Sequence, residues 1–452
     1  MEKLFFIAVM MVAAFANGNP VDNLQPGCWY AAPNTPMSAV DPCPANNCSY
    51  SGSTGQATVL DGWGGGAFDT KRNCFIAFGG GHSNYCGNEV YTFSVDSLKW
   101  YRLTEPTGPG PVSVHSYDGL VYVPAPVDRF FTYGGSSCPT GGGTSQTYLF
   151  NFDTKTWASQ ANPGGGALGA VCAYDSATGK VIVMGSINYN SIITSFTPNS
   201  SNGTWTNLGN GYPAMYQTGA VDTKRHRLIV VGGGQYGNPE THSYNLSASG
   251  APWTKLTTTG ATEIERAPAP GLAYVSSIDK FVAWGAGRPQ DVYLLDPATN
   301  VWTCVQPSAN NTVIPPSPVQ SGTYGKFQYI PSKNAFVCVT TNKNNVYFYK
   351  LPSGVLAESN PNSSLSSRLK ITPNPFNSFT TISFGNSNQK GLLNIYDMAG
   401  KLVKSLGNTR SGQLPMVWNG KDVAGHPLSS GVYVVSVSDG VRNLKQKVVL
   451  SK

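Results

Sequence analysis

The sequence predicts an all-β protein in two parts: a large body of repeated small sheets and a short C-terminal sandwich. Three observations predict it. The 452 residues include 51 Gly and 32 Pro, a density of turn formers that long helices do not tolerate. Charged residues are 12% and aromatics 11%, the reverse of the balance that leaves a chain disordered. Apolar and polar residues alternate in short runs between Gly, Asn and Pro clusters, as half-buried strands require. The Gly has no three-residue period, which excludes a collagen-like helix. Beyond the first 20 residues no apolar run is long enough to span a bilayer, so no membrane span is expected.

The N-terminus reads as a secretory signal over residues 1–16. Lys3 supplies the positive end, Leu4 to Ala13 the apolar stretch, and Ala14-Phe15-Ala16 the small-x-small cleavage site. Nine cysteines in an exported chain make disulfides the expectation. Cys43 and Cys48 enclose a short Pro/Asn loop and form the best local pair. An odd total leaves at least one thiol unpaired within the molecule. Cys and His do not cluster at zinc spacing, and the sequence assigns no metal or cofactor.

A unit of about fifty residues then recurs. It runs from an apolar strand to a strand ending in glycine, then to an aromatic strand and a Trp-bearing strand. The glycine-rich ends are Phe78-Gly79-Gly80-Gly81, Tyr133-Gly134-Gly135, Met184-Gly185, Val231-Gly232-Gly233-Gly234 and Trp284-Gly285, with Phe336-Val337-Cys338 in a degenerate last copy. Trp100, Trp157, Trp205, Trp253 and Trp302 mark the fourth strands. The sixth copy stops at Leu351 without a Trp, and the missing one is expected at Cys28-Trp29-Tyr30.

These residues resemble the kelch repeat, a four-stranded blade of galactose-oxidase-like β-propellers. The resemblance implies six blades over residues 17–352, closed by the N-terminal strand, with seven blades as the alternative. Each small sheet buries both faces only against neighbours, so such blades close on themselves. Gly pairs let backbones approach, and Trp fills the wedge between blades.

Residues 353–367 are Ser/Asn-rich and read as a linker. Residues 368–452 alternate as a small antiparallel Ig-like sandwich. Their motifs, Pro373-Asn374-Pro375-Phe376, Ile395-Tyr396-Asp397-Met398-Ala399-Gly400-Lys401, Trp418-Asn419-Gly420-Lys421-Asp422 and Ser430-Gly431-Val432-Tyr433, resemble the C-terminal sorting domain of the type IX secretion system. That resemblance implies a bacterial protein carried through periplasm and outer membrane to be secreted or displayed at the cell surface. The partner it implies is the type IX machinery.

The formal net charge is +7, but it is unevenly distributed. Residues 17–365 carry 18 Lys/Arg against 19 Asp/Glu; residues 366–452 carry 11 against 3. The large part is near neutral and the tail's charges are dispersed, so no nucleic-acid partner is expected.

In a kelch blade two kinds of loop reach one mouth of the central channel, where propellers bind ligands. One kind follows the Gly-rich strand and carries His82, Asn84, Tyr85, Glu89, Tyr236 and Arg288; the resemblance also puts Cys86 and Cys138 in such loops of adjacent blades, as a second candidate disulfide. The other precedes each first strand and carries Trp63, His115, Tyr117 and Arg266. His exchanges protons near neutral pH, Tyr donates to a leaving oxygen, and Arg neutralises a carboxylate. Those are the needs of β-elimination on a uronic-acid polysaccharide, and propeller lyases of this architecture use such residues. On that reading His82, His115, Tyr85 and Tyr117 are catalytic, and Trp63, Asn84, Glu89, Tyr236, Arg266 and Arg288 hold the substrate. The alternative is a non-catalytic propeller that binds glycan or protein, with its mouth aromatics stacking on sugar rings. A copper radical oxidase would need a Tyr-His dipeptide, which does not occur. A glycosidase would need paired carboxylates, for which Asp61, Glu89, Asp118 and Glu265 are the candidates. An extracellular polysaccharide is the expected partner, with a protein partner left open in the alternative reading.

Overall fold

The computed structural model describes residues 18–187, 190–199, 202–212, 215–233, 238–248, 250–352, 370–383, 392–398, 400–408, 416–438 and 443–452. The signal segment, the linker and Tyr236 lie outside the described residues. The chain divides into two compact units, Met1–Leu356 and Ala357–Lys452.

Among the described residues the protein is all-β, with helix confined to Thr58–Asp61 and a few single turns. In the first unit six sheets follow one another along the chain. Their first strands are Ala67–Asp69, Leu120–Val123, Ala167–Asp175, Gln217–Asp222, Gly271–Val275 and Phe327–Ile330. From each, the chain steps outward through antiparallel neighbours, in sheet one through Cys74–Phe78, Val90–Ser94 and Lys99–Arg102. Sheet six has three such strands. Its fourth is Trp29–Ala32, which pairs antiparallel with Val346–Tyr349, Trp29 opposite Tyr349. The first strands lie side by side in chain order, and the sixth lies beside the first. A cavity of about 350 Å³ between them is lined by residues from all six.

Two backbone positions recur in every sheet with left-handed φ. The first enters the first strand: Trp63, Tyr117, Gly169, Tyr216, Ala269 and Tyr324, with φ from 40° to 64°. Gly169 meets this requirement without strain, at a bulge between Leu168 and Val171. The aromatic residues do not; a non-glycine residue held there costs about 1–2 kcal/mol. Backbone bonds from neighbouring sheets hold several of them: Tyr117 N donates to Trp63 O (2.7 Å), Ala269 N to Tyr216 O (3.0 Å) and Tyr324 N to Ala269 O (3.0 Å). The second position closes the hairpin after the first strand, at Asn73, Asp128, Gly179, His226, Asp279 and Asn334.

These hairpins also tie sheet to sheet. Arg72 joins Asp69 (2.8 Å) of its own sheet to Asp128 (2.8 Å) of the next. Arg225 repeats the motif with Asp222 (3.0 Å) and Asp279 (2.8 Å), and its second nitrogen reaches Asp279 at 2.9 Å. His226 pairs with Asp175 of the preceding sheet at 2.9 Å. Hydrogen bonds from Arg72 hold the Asp128 carboxyl well below the usual range. Burial alone would raise Asp279, but its bonds from Arg225, Lys224 and Tyr274 outweigh burial and lower it.

The unfolded chain therefore takes up protons at these carboxylates before the folded one does. Their stabilisation is complete above the ordinary carboxylate pKa of 3.8 and is lost as pH falls below it. Arg225→Ala is expected to lower the unfolding free energy by about 2 kcal/mol near neutral pH, and by less below about pH 3. Urea unfolding at both pH values measures this.

The fourth-strand tryptophans pack across sheets. Trp157 lies 5.2 Å from Phe78 of the preceding sheet and 5.7 Å from Phe130 of its own. Trp205 lies 5.1 Å from Tyr133 of the preceding sheet and donates to Ala161 O (2.8 Å). Trp253 departs from the pattern and is exposed. The second unit holds a three-stranded sheet (Lys370–Thr372, Thr380–Ser383, Met416–Trp418) and a four-stranded one (Leu392–Tyr396, Leu402–Asn408, Gly431–Ser438, Asn443–Leu450). Alternate residues such as Leu393, Ile395, Val435 and Val437 build its core. Trp418 packs there at 5.2 Å from Phe376 and 5.4 Å from Tyr433.

Candidate functional site

The left-handed entry position throws its side chains together at one end of the six first strands. Tyr117, Tyr216 and Tyr324 form a buried cluster with Ala269, and Trp63 packs against it. Tyr216 stacks on Tyr117 at 6.2 Å and on Trp63 at 6.4 Å, while Tyr324 meets Tyr117 edge-on at 5.9 Å. Below this layer Asp118 accepts Gly219 N (3.0 Å), a bond from the second sheet to the fourth. Burial raises the Asp118 carboxyl well above its usual value.

Above one side of the layer lie the histidines. His115 sits on a two-residue strand, Val114–His115, paired with Ser136–Ser137. His82 follows the first Gly-rich strand end at φ 49°, with its backbone N–H on Ser136 O (3.3 Å). Its ring rests on Gly141, where a Cβ would run into it. The two rings are parallel within 13°, with centroids 6.0 Å apart. Trp63 lies 5.0 Å beyond His115. His115 Nε2 donates to Asn84 Oδ1 (3.2 Å), and burial lowers its pKa to about 4, with the charge of His82 adding to the effect. Neutral His115 therefore leaves Nδ1 as a weak base and supplies no proton near pH 7. Trp63, His82, Asn84, His115, Tyr117 and Tyr216, with Ser83 and Ser136, line a cavity of about 440 Å³.

The structure thus assembles five of the residues singled out from sequence: Trp63, His82, Asn84, His115 and Tyr117. Tyr236 is outside the described residues, and the other four lie elsewhere. Tyr85 and Glu89 are both buried and are hydrogen-bonded to each other, not to the histidines. Both point inward because the loop from Gly81 to Tyr85 closes on itself through Tyr85 N to Gly81 O (3.4 Å). Arg288 is exposed and paired with Asp291 at 2.9 Å, and Arg266 is exposed at the end of the turn Thr262–Arg266; neither lines this cavity.

Of the carboxylates weighed for a glycosidase, Glu265 is buried and accepts from Trp302 Nε1 (3.0 Å) and from Thr241. Asp61 lines a chamber. That chamber, of about 310 Å³, also includes Trp63, Val319, Gln320 and Ser321. Tyr216, one of the mouth aromatics expected to stack on sugar rings in the binding reading, is central to the aromatic layer. The signal available was its place shortly ahead of a first strand, one to four residues before it, as for Trp63 and Tyr117. Among the described residues no three His, Cys, Asp or Glu side chains form a set that could hold a metal ion. Both expected disulfides are present, Cys43–Cys48 and Cys86–Cys138. The second ties the His82 loop to the loop after Ser137.

The fold and site define an all-β protein with an aromatic, near-neutral cavity of ligand-binding size and a C-terminal Ig-like domain. Residues 379–441 match the FlgD Ig-like domain. No curated protein matches the chain. Among solved structures, the chain is similar to PorZ, a surface component of the type IX secretion system of Porphyromonas gingivalis. The two share 12% identity with a TM-score of 0.36, over 86% of this chain and 51% of that one. The chain spans about half the length of that structure, and a likeness this distant carries no argument about function. No helix among the described residues is long and apolar enough to cross a membrane.

Proposed function

We propose that the first unit is a six-bladed kelch-type propeller that binds extracellular glycan without transforming it, and that the Ig-like domain is its type IX sorting signal. Six sheets with first strands neighbouring in cyclic order support the propeller, as does the terminal strand Trp29–Ala32 in the last sheet. The observation that carries the binding reading is the composition of the cavity. Its wall is indole, imidazole and phenol rings with Asn84, Ser83 and Ser136, and no Lys or Arg lines it. Such walls stack on the apolar faces of sugar rings and hydrogen-bond their hydroxyls. β-Elimination on a uronate needs a cation against the carboxylate and a competent base. Here both arginines lie elsewhere and His115 is held neutral at a low pKa. The motifs of the tail and its Ig-like match support the sorting role.

Calorimetry with neutral and uronate oligosaccharides tests this reading. Trp63→Ala is expected to weaken glycan binding by about ten- to a hundredfold, the loss of one stacked ring. Unsaturated products from any uronate polysaccharide, abolished by His115→Ala, would replace the binding reading with a lyase.

A further inference from the structure

Trp63 belongs to two chambers. On one side lie His82, His115 and Tyr117; on the other lie Asp61, Gln320 and Ser321. The two are chemically unequal. The first offers ring faces. The second offers a carboxylate, an amide and a hydroxyl, and Asp61 is its one ionisable lining residue. The second chamber is also built rather than incidental. Ser321 Oγ donates to the main-chain oxygen of Asp61, which pins the Val319–Ser321 segment against the turn that carries Asp61. The Asp61 side chain is half-buried and accepts one backbone bond, from Asn342 N (3.3 Å). A carboxylate has about four acceptor sites, so it can still receive ligand hydroxyls. Lys326 is fully buried, donates to Leu60 O (2.6 Å) and does not line the chamber; its charge and that of Lys343 act on Asp61 from outside it.

We infer that the two chambers are one elongated subsite pair for a neutral oligosaccharide of at least two sugar units, which crosses Trp63 and places vicinal hydroxyls on Asp61. The inference rests on the glycan-binding reading and adds to it chain length and charge. Each chamber exceeds about 300 Å³, the lower end of ligand-pocket size, so a single ring fills only one of them. A uronate or sulfated unit in the second chamber would bring an anion against Asp61 with no lining cation to balance it. A neutral unit meets no such cost.

The test titrates the full chain with neutral mono-, di- and tetrasaccharides of glucose and mannose, and with galacturonate oligomers of the same lengths. Affinity is expected to rise about tenfold or more from mono- to disaccharide for the neutral series and not for the uronates. Asp61→Asn is expected to erase most of that gain. Gln320→Ala, at an exposed position that folding does not depend on, is expected to reduce it by several-fold. A gain that is absent, or that survives both variants, overturns the paired subsite while leaving glycan binding intact. Tighter binding of the uronates overturns the neutral assignment. Failure of every glycan to bind overturns the glycan reading itself, and this inference with it.

Discussion

A chain that begins after Ala32 is expected to fail to form a stable first unit. Trp29–Ala32 is the fourth strand of sheet six, and its loss leaves Val346–Tyr349 as a bare edge of aromatic and apolar residues. The anchor is Trp29, which is 3% exposed. Its indole N–H donates to Gln290 O (2.9 Å), and its ring packs at 4.9 Å from Tyr349 and 6.3 Å from Trp284 of sheet five. Trp29→Ala alone is expected to cost about 3–5 kcal/mol. That is a large part of the ~5–15 kcal/mol that separates folded from unfolded states in most domains. Deleting the whole strand also removes its ladder of hydrogen bonds, and aggregation or unfolding at growth temperature is the expected result. Thermal and urea unfolding measure both variants. A truncated protein that is soluble, with a Tm within a few degrees of the intact chain, would show that the sixth sheet does not need its terminal strand, and with it would fall the proposed closure.

Replacing Cys86 and Cys138 by Ser is expected to have the next largest effect, on stability and on the site together. The bridge closes a loop of 52 residues and joins loops of two successive sheets. Cross-links of that span contribute about 4 kcal/mol in the chain-entropy account, and commonly somewhat less. Beside it, His82 lies against Gly141 and bonds Ser136 O, while Asn84 receives His115 Nε2. Freed of the bridge, the His82 loop can move away from His115 and the cavity loses one wall. Calorimetric unfolding is expected to show a lower Tm, and glycan affinity is expected to fall several-fold under conditions where the variant is still folded. Unchanged affinity in the folded variant would remove the bridge from the site and leave it a stability element only.

Much of the fold was legible because strand periodicity is local. A two-residue alternation bounded by Gly and Asn marks each strand wherever it ends up, and the count of six repeat copies against five Trp-bearing strands pointed to the N-terminal strand. The site was less legible. His82 and His115 could be placed in loops of neighbouring repeats, and they do meet. Tyr85 and Glu89 shared the His82 loop yet turn inward to each other, since a loop has no periodicity that states which side chain faces out. Arg266 and Arg288 were chosen for their charge, and charge does not say where a side chain points; Arg288 found its partner three residues away in Asp291. The equivalence of Tyr216 and Tyr324 to Trp63 and Tyr117 is one of backbone conformation, interrupted in sequence by Gly169 and Ala269.

The sequence by itself determined an all-β chain of repeated four-strand units with a basic Ig-like tail, because pleat alternation, turn chemistry and composition act over a few residues at a time. Only the tertiary structure decided which aromatic and imidazole rings converge, that His115 is neutral, and that the arginines stand apart from the cavity. Those properties depend on burial and on neighbours from about thirty to about two hundred residues away, distances at which no local pattern in the chain carries information.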